Sequence, residues 1–174
     1  MLYLALLRGI NVGGKAKLPM KELATIFAQA GARDVRTFIQ SGNVIFDAEE
    51  ADLVVEAVTT KIVKTYGYPG RIVLRSASEM QSACSANPFT GAPLDTLHCY
   101  FLAEKPDAHA VKLLDPERSP RDHYVVNGRE IYLHLPSGMA RTKLTNAYFD
   151  GKLGTVSTAR NWNTVVRLNA MMAP

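Results

Sequence analysis

A loop rich in glycine and positive charge follows an apolar run at the start of the chain, residues 2–7. Between residues 8 and 21 it contains three glycines and four cations, and no acid: Gly9, Gly13, Gly14, Arg8, Lys15, Lys17 and Lys21. Glycines let backbone N–H groups approach a ligand, and lysine and arginine add positive charge. The segment therefore predicts an anion-binding loop, with phosphate as the most suitable anion.

The spacing of Gly9, Gly14 and Lys15 resembles the phosphate loop of nucleoside triphosphatases, G-x-x-x-x-G-K-[ST]. Ala16 occupies the last position, where a hydroxyl would bind Mg²⁺. The following helix is expected to begin near Pro19 rather than at the Gly-Lys pair. These differences argue against a nucleoside triphosphatase. They leave two interpretations, a looser anion loop with Lys15 or Lys17, and a glycine-rich turn that is only structural.

Polar residues in a second segment, Ser41-Gly42-Asn43, follow a predicted strand. One interpretation is a hairpin turn. The other places the Ser41 hydroxyl and the Asn43 amide beside the first loop, where they would orient a ligand. Ser41 lacks the G-x-S-x-G pattern of a nucleophile.

A third polar segment, residues 155–164, opens the predicted last helix. Ser157 or Thr158 could cap that helix. Helix starts favour anions, so Arg160 and Asn161 are candidate ligand contacts, whereas Trp162 is expected to anchor the helix in the core.

Positive charge is concentrated in two parts of the chain. Residues 1–21 carry a net charge of +4 and residues 138–163 carry +3, whereas the remaining residues sum to −3. If the fold brings the two segments together they form a cationic cleft. The alternative is two unrelated solvated loops.

Other features limit the class of protein. Cys84 and Cys99 form no paired motif and are expected to be reduced core residues of a cytoplasmic protein. The start lacks the basic region of a signal peptide, and its apolar run is too short to cross a bilayer, so we expect no membrane association. The histidines and carboxylates show no metal or redox cofactor motif, and any cofactor remains unknown.

Hydrophobic periodicity and turn residues predict the element order β-α-β-β-α-β over residues 1–76, which is the ferredoxin-like arrangement. A helix and a loop, residues 77–96, connect it to a second unit of the same order over 97–158, in which Asn127-Gly128 is a strong hairpin signal. In the second unit we expect a helix over 139–149 and a short strand over 154–157. A C-terminal helix is expected within 159–174, starting at about Arg160. The predicted fold is α+β, with two ferredoxin-like halves in tandem.

The motifs together resemble the bacterial family catalogued as domain of unknown function (DUF) 1697. The resemblance rests on residues 4–15, 18–23, 37–44 and 158–164. Phe38 stands where the pattern leads us to expect tyrosine, which removes a hydroxyl from any site there. The resemblance implies a small cytosolic protein of two ferredoxin-like halves and no established activity.

We therefore expect a cleft for a nucleotide or phosphorylated small molecule, and the sequence leaves open whether the protein is an enzyme. The candidate anion-binding residues are Arg8, Asn11, Gly13, Gly14, Lys15, Lys17, Ser41, Asn43, Arg160 and Asn161. Two alternatives are a nucleic-acid-binding module, whose affinity would fall steeply with salt, and an interaction scaffold without catalysis.

Overall fold

The computed structural model of the protein describes residues 1–11 and 17–173. Three predicted ligand residues, Gly13, Gly14 and Lys15, lie outside the described residues. The chain divides into two compact units, residues 1–80 with 171–174, and residues 81–170.

The first unit has the element order β-α-β-β-α-β, as predicted. Its elements are β1 (Leu2–Leu7), α1 (Met20–Gln29), β2 (Arg33–Phe38), β3 (Asn43–Asp47), α2 (Ala51–Tyr66) and β4 (Ile72–Ser76). The strands form an antiparallel sheet in the order β2-β3-β1-β4, so β1 is hydrogen-bonded to β3 on one side and to β4 on the other.

One face of this sheet packs against the two helices. Ala5 and Leu7 of β1 belong to the same buried cluster as Phe27 of α1 and Phe46 of β3. The Phe27 and Phe46 rings are 5.1 Å apart between centroids. Burial of these apolar side chains provides the main driving force that holds the sheet edges and their loops in place.

The second unit repeats the arrangement after α3 (Ala77–Ser85) and a 3₁₀ turn (Leu94–Thr96). Its elements are β5 (Leu97–Leu102), α4 (Ala108–Lys112), β6 (His123–Asn127), β7 (Glu130–His134), α5 (Asn146–Leu153), β8 (Ser157–Asn161) and α6 (Trp162–Met172). The sheet order is β6-β7-β5-β8, which matches the first unit strand for strand. The predicted α+β fold of two ferredoxin-like halves is therefore confirmed.

The end of the second unit differs from the prediction. The helix expected over 139–149 is found at Asn146–Leu153, because the Thr145 hydroxyl accepts a hydrogen bond from the backbone N–H of Tyr148 and caps the helix there. The strand expected to end at residue 157 instead begins there and continues to Asn161. The segment 159–174 therefore contains the end of β8 as well as α6.

Within the described residues, no helix combines the length and the apolar character needed to cross a bilayer.

Candidate anion-binding site

The end of β1 is hydrogen-bonded on both sides. The backbone N–H of Leu7 donates to the carbonyl oxygen of Gly42 at 2.8 Å, and the N–H of Arg8 donates to the carbonyl oxygen of Arg71 at 3.0 Å. Three segments therefore meet at this end of the first sheet: the loop that follows β1, the turn between β2 and β3, and the residues that lead into β4.

A pocket of about 290 Å³ lies at this sheet end, between the loop after β1 and the start of β4. Its lining residues are Arg8, Gly9, Tyr68, Pro69 and Arg71. Arg8 is half-buried, Tyr68 is buried and Arg71 is exposed. The described lining thus carries two guanidinium groups and no carboxylate. A guanidinium offers a planar fork of N–H donors that matches phosphate or carboxylate oxygens.

Arg71 was missed by reasoning from the sequence. A signal was available. In the β-α-β-β-α-β order the first and last strands are antiparallel neighbours, so the residue after β1 faces the residue before β4. Arg8 and Arg71 occupy these two positions.

Asn11, predicted as a ligand contact, holds the loop closed. Its side-chain Nδ2 donates to the carbonyl oxygens of Leu18 and Gln40, both at 2.9 Å, and its Oδ1 accepts from the N–H of Leu18 at 2.8 Å. The residue has a φ of 55°, in the left-handed region that asparagine tolerates better than most residues. Its amide therefore joins the two ends of the loop to the neighbouring turn.

The turn from residue 39 to residue 42 packs tightly against the end of β1. A Cβ atom added at Gly42 would lie 2.7 Å from Cβ of Leu7 and from Cδ1 of Ile10, and Gly42 has a φ of +75°. Glycine is therefore required here. The prediction that Ser41-Gly42-Asn43 forms a hairpin turn agrees with this geometry.

The polar side chains of the turn are engaged within it. Asn43 is fully buried, and its Nδ2 donates to the carbonyl oxygen of Phe38 and to Oγ of Ser41, both at 3.0 Å. The segment does lie beside the first loop, as one interpretation held, and the Asn43 amide stabilises the turn. A role for Ser41 or Asn43 in ligand binding stays a prediction.

The remaining predicted ligand residues are divided between the two units. Lys17 is exposed in the first unit. Arg160 and Asn161 belong to the second unit and lie in β8, so the prediction that they open the last helix is wrong for Arg160. Arg160 is buried, and its Nη1 donates to Oγ1 of Thr158 at 2.9 Å and to the carbonyl oxygen of Ala159 at 2.7 Å.

Asn161 caps α6, because its Oδ1 accepts a hydrogen bond from the backbone N–H of Thr164 at 2.8 Å. Ser157, one of the two predicted caps, instead donates its hydroxyl to Asp150. A contribution of Arg160 or Asn161 to anion binding stays a prediction.

The part of the chain that the structure describes holds no group of three or more His, Cys, Asp or Glu side chains placed to bind a metal ion. The two cysteines in it are free thiols. Burial raises the pKa of the Cys84 thiol to about 11, so at neutral pH this group is protonated and a poor nucleophile.

Comparisons with known protein families and solved structures give a family and a fold. A family model described as "Protein of unknown function (DUF1697)" matches residues 1–132. The solved structure of the conserved bacterial protein SP0830 from Streptococcus pneumoniae superimposes with a TM-score of 0.74 over 99% of this chain and 98% of that chain. The two sequences are 24% identical, and at this level the structural similarity shows a shared fold and no more. No curated protein sequence matches the chain.

Proposed function

The chain belongs to the DUF1697 family, whose function is unknown, and we propose from the residues of its first unit that it binds a small phosphorylated molecule. The ligand would lie in the pocket between Arg8 and Arg71, with a phosphate group between the two guanidinium groups. The class of ligand is a nucleotide or another phosphorylated metabolite.

The observation that carries the proposal is the placement of Arg8 and Arg71 at the adjoining ends of the neighbouring strands β1 and β4, around one pocket. Like charges opposite each other on adjacent strands are destabilising. An anion bound between them would offset that repulsion, and each guanidinium could donate two parallel hydrogen bonds to phosphate oxygens. The backbone at Gly9, which also lines the pocket, has no side chain to keep a ligand away.

The size of the pocket supports a small ligand. Pockets for small molecules usually measure roughly 300–1,000 Å³, and this one, at about 290 Å³, lies just below the lower end of that range. A monophosphate suits it better than a long polyphosphate. The volume also favours a discrete ligand over the nucleic-acid alternative, which needs an extended basic surface.

The proposal is tested by a thermal-shift titration with phosphate, pyrophosphate, sugar phosphates and nucleotides. A ligand at about 100 times its dissociation constant stabilises the folded state by roughly 2.7 kcal/mol. For a chain of this size each kcal/mol raises the melting temperature by about 2–4 °C, so the expected rise is about 5–11 °C. We expect the shift to disappear in Arg71→Ala and in Arg8→Ala.

Arg36 provides the matched control, because it is an exposed arginine of the same sheet and does not line the pocket. Arg36→Ala should retain the full shift. A shift that is lost equally in all three variants would point to diffuse charge attraction. A wild-type protein that responds to no ligand of the panel would refute the proposal.

A further inference from the structure

Ile39, in the turn between β2 and β3, combines two unfavourable features. Its φ is 51°, in the left-handed region, and its side chain is 49% exposed. A β-branched residue in this region is a genuine outlier, because its Cβ crowds the backbone. Burial of the side chain compensates for little of that cost, since half of it faces solvent.

The surrounding structure holds the turn in this conformation from both sides. The Asn43 amide donates a hydrogen bond to the carbonyl oxygen of Phe38, and the Asn11 amide donates one to the carbonyl oxygen of Gln40. The carbonyl groups of the two residues that flank Ile39 are therefore both held by asparagine amides. Gly42 is pressed against β1. Strain that is maintained in this way is found preferentially at ligand-binding and catalytic sites.

The turn also flanks the anion pocket. The backbone N–H of Leu7 donates to the carbonyl oxygen of Gly42 on one side of β1, and the N–H of the next residue, Arg8, donates to the carbonyl oxygen of Arg71 on the other side. Gly42, at the β3 end of the turn, and Arg71 are therefore separated by two strand spacings, about 10 Å, and Ile39 follows β2, the next strand beyond β3. A ligand whose phosphate lies between Arg8 and Arg71 would have to extend across the end of β1 to reach the turn.

We propose that Ile39 is a specificity-determining residue that contacts the organic part of the phosphorylated ligand, and that this part is an apolar or aromatic ring such as a nucleobase. The inference rests on the proposed function, and it names the class of ligand more narrowly. An exposed aliphatic side chain has no hydrogen bond to offer a sugar hydroxyl, whereas it gains free energy by covering the face of a ring. A nucleoside monophosphate is thus favoured over a sugar phosphate.

Isothermal titration calorimetry with three probes tests this inference: inorganic phosphate, ribose 5-phosphate and adenosine 5′-monophosphate. Two variants distinguish the effect of the apolar side chain from the effect of the left-handed backbone conformation. Ile39→Asn removes the apolar surface and places at this position a residue that tolerates the left-handed region. Ile39→Leu retains the apolar surface. Melting temperatures of both variants confirm that they fold.

We expect the wild-type protein to bind adenosine monophosphate more tightly than ribose phosphate. Ile39→Asn should lower the affinity for adenosine monophosphate by about tenfold, as expected for partial loss of an apolar contact. The affinity for inorganic phosphate should be unchanged. Ile39→Leu should remain within about twofold of the wild type for every probe. Equal nucleotide affinity in wild type and Ile39→Asn would overturn the inference and leave the anion site intact. Failure of the wild type to bind any probe would overturn both proposals.

Discussion

The backbone N–H of Arg8 donates to the carbonyl oxygen of Arg71 at 3.0 Å. This bond brings the residue after β1 and the residue before β4 together although 63 positions separate them in the sequence. Both are arginines, and both line the same pocket. The fold thus places two positively charged side chains at the end of β1, an arrangement that favours an anionic ligand.

Asn11 should contribute strongly to stability, because its amide makes three hydrogen bonds to the backbone. We expect Asn11→Ala to lower the free energy of unfolding by about 2–3 kcal/mol, from the lost bonds and from the left-handed backbone. Asn11→Gly loses the same hydrogen bonds, but glycine tolerates the left-handed backbone conformation. This variant should therefore be about 1 kcal/mol more stable than Asn11→Ala. Urea unfolding measures both. Two variants as stable as the wild type would show that the loop does not depend on this amide.

Gly42 and Gly67 form a matched pair for the close packing of the turn. Both have a positive φ, of 75° and 62°, but an added Cβ would meet Leu7 and Ile10 at Gly42 and nothing within 4 Å at Gly67. Gly67→Ala should cost about 1 kcal/mol, from the backbone alone. Gly42→Ala should cost about 3 kcal/mol or more, because overpacking adds to the strain. The midpoints of urea unfolding compare the two variants. Equal losses of stability in Gly42→Ala and Gly67→Ala would contradict the tight contact of Gly42 with β1.

Asp122 should make the second unit sensitive to acid. The carboxylate is buried, which alone would raise its pKa, but hydrogen bonds from Ser119, Thr142 and Ser137 outweigh burial and hold the pKa below the usual range. A lowered pKa in the folded state means that the stabilisation is complete above the unfolded pKa, about 3.9, and is lost as the pH falls through the folded value.

We therefore expect Asp122→Asn to be less stable than the wild type at pH 7, by about 2 kcal/mol, and to lose less stability between pH 7 and pH 3. Urea unfolding at the two pH values gives the comparison. Asp95→Asn is the control, because Asp95 is exposed in the 3₁₀ turn. An unchanged acid dependence in Asp122→Asn would mean that other carboxylates dominate it.

Hydrophobic patterning and turn residues together were enough to predict the fold. The apolar run of β1, the Asn127-Gly128 hairpin and the repeated element order each agree with the observed sheets. The boundaries near residue 160 could not be predicted, because Ser157, Thr158 and Asn161 are all good helix caps by type. Their hydrogen-bond partners, which decide among them, depend on the folded second unit.

The candidate site could be predicted only in part. Arg8 was recognised because local sequence shows its charge beside glycine. Arg71 was missed because its role depends on a contact between strands distant in sequence. The backbone hydrogen bonds of Asn11 and Asn43 could not be predicted, since a polar side chain in a loop looks the same in the sequence whether it bonds a ligand or the backbone. Their roles in ligand binding stay predictions. Ile39 gave no signal at all, because a positive φ at isoleucine contradicts its intrinsic preference.

The central claim is that anions bind between Arg8 and Arg71. It is tested most directly by nuclear magnetic resonance of the ¹⁵N-labelled protein during titration with inorganic phosphate, with sodium chloride at matched ionic strength as the control. The account predicts saturable shifts of the backbone amides of Arg8, Gly9 and Arg71, and no comparable change at Arg36, the exposed arginine of the same sheet. Shifts that do not saturate, or that are absent at these three amides, would contradict it.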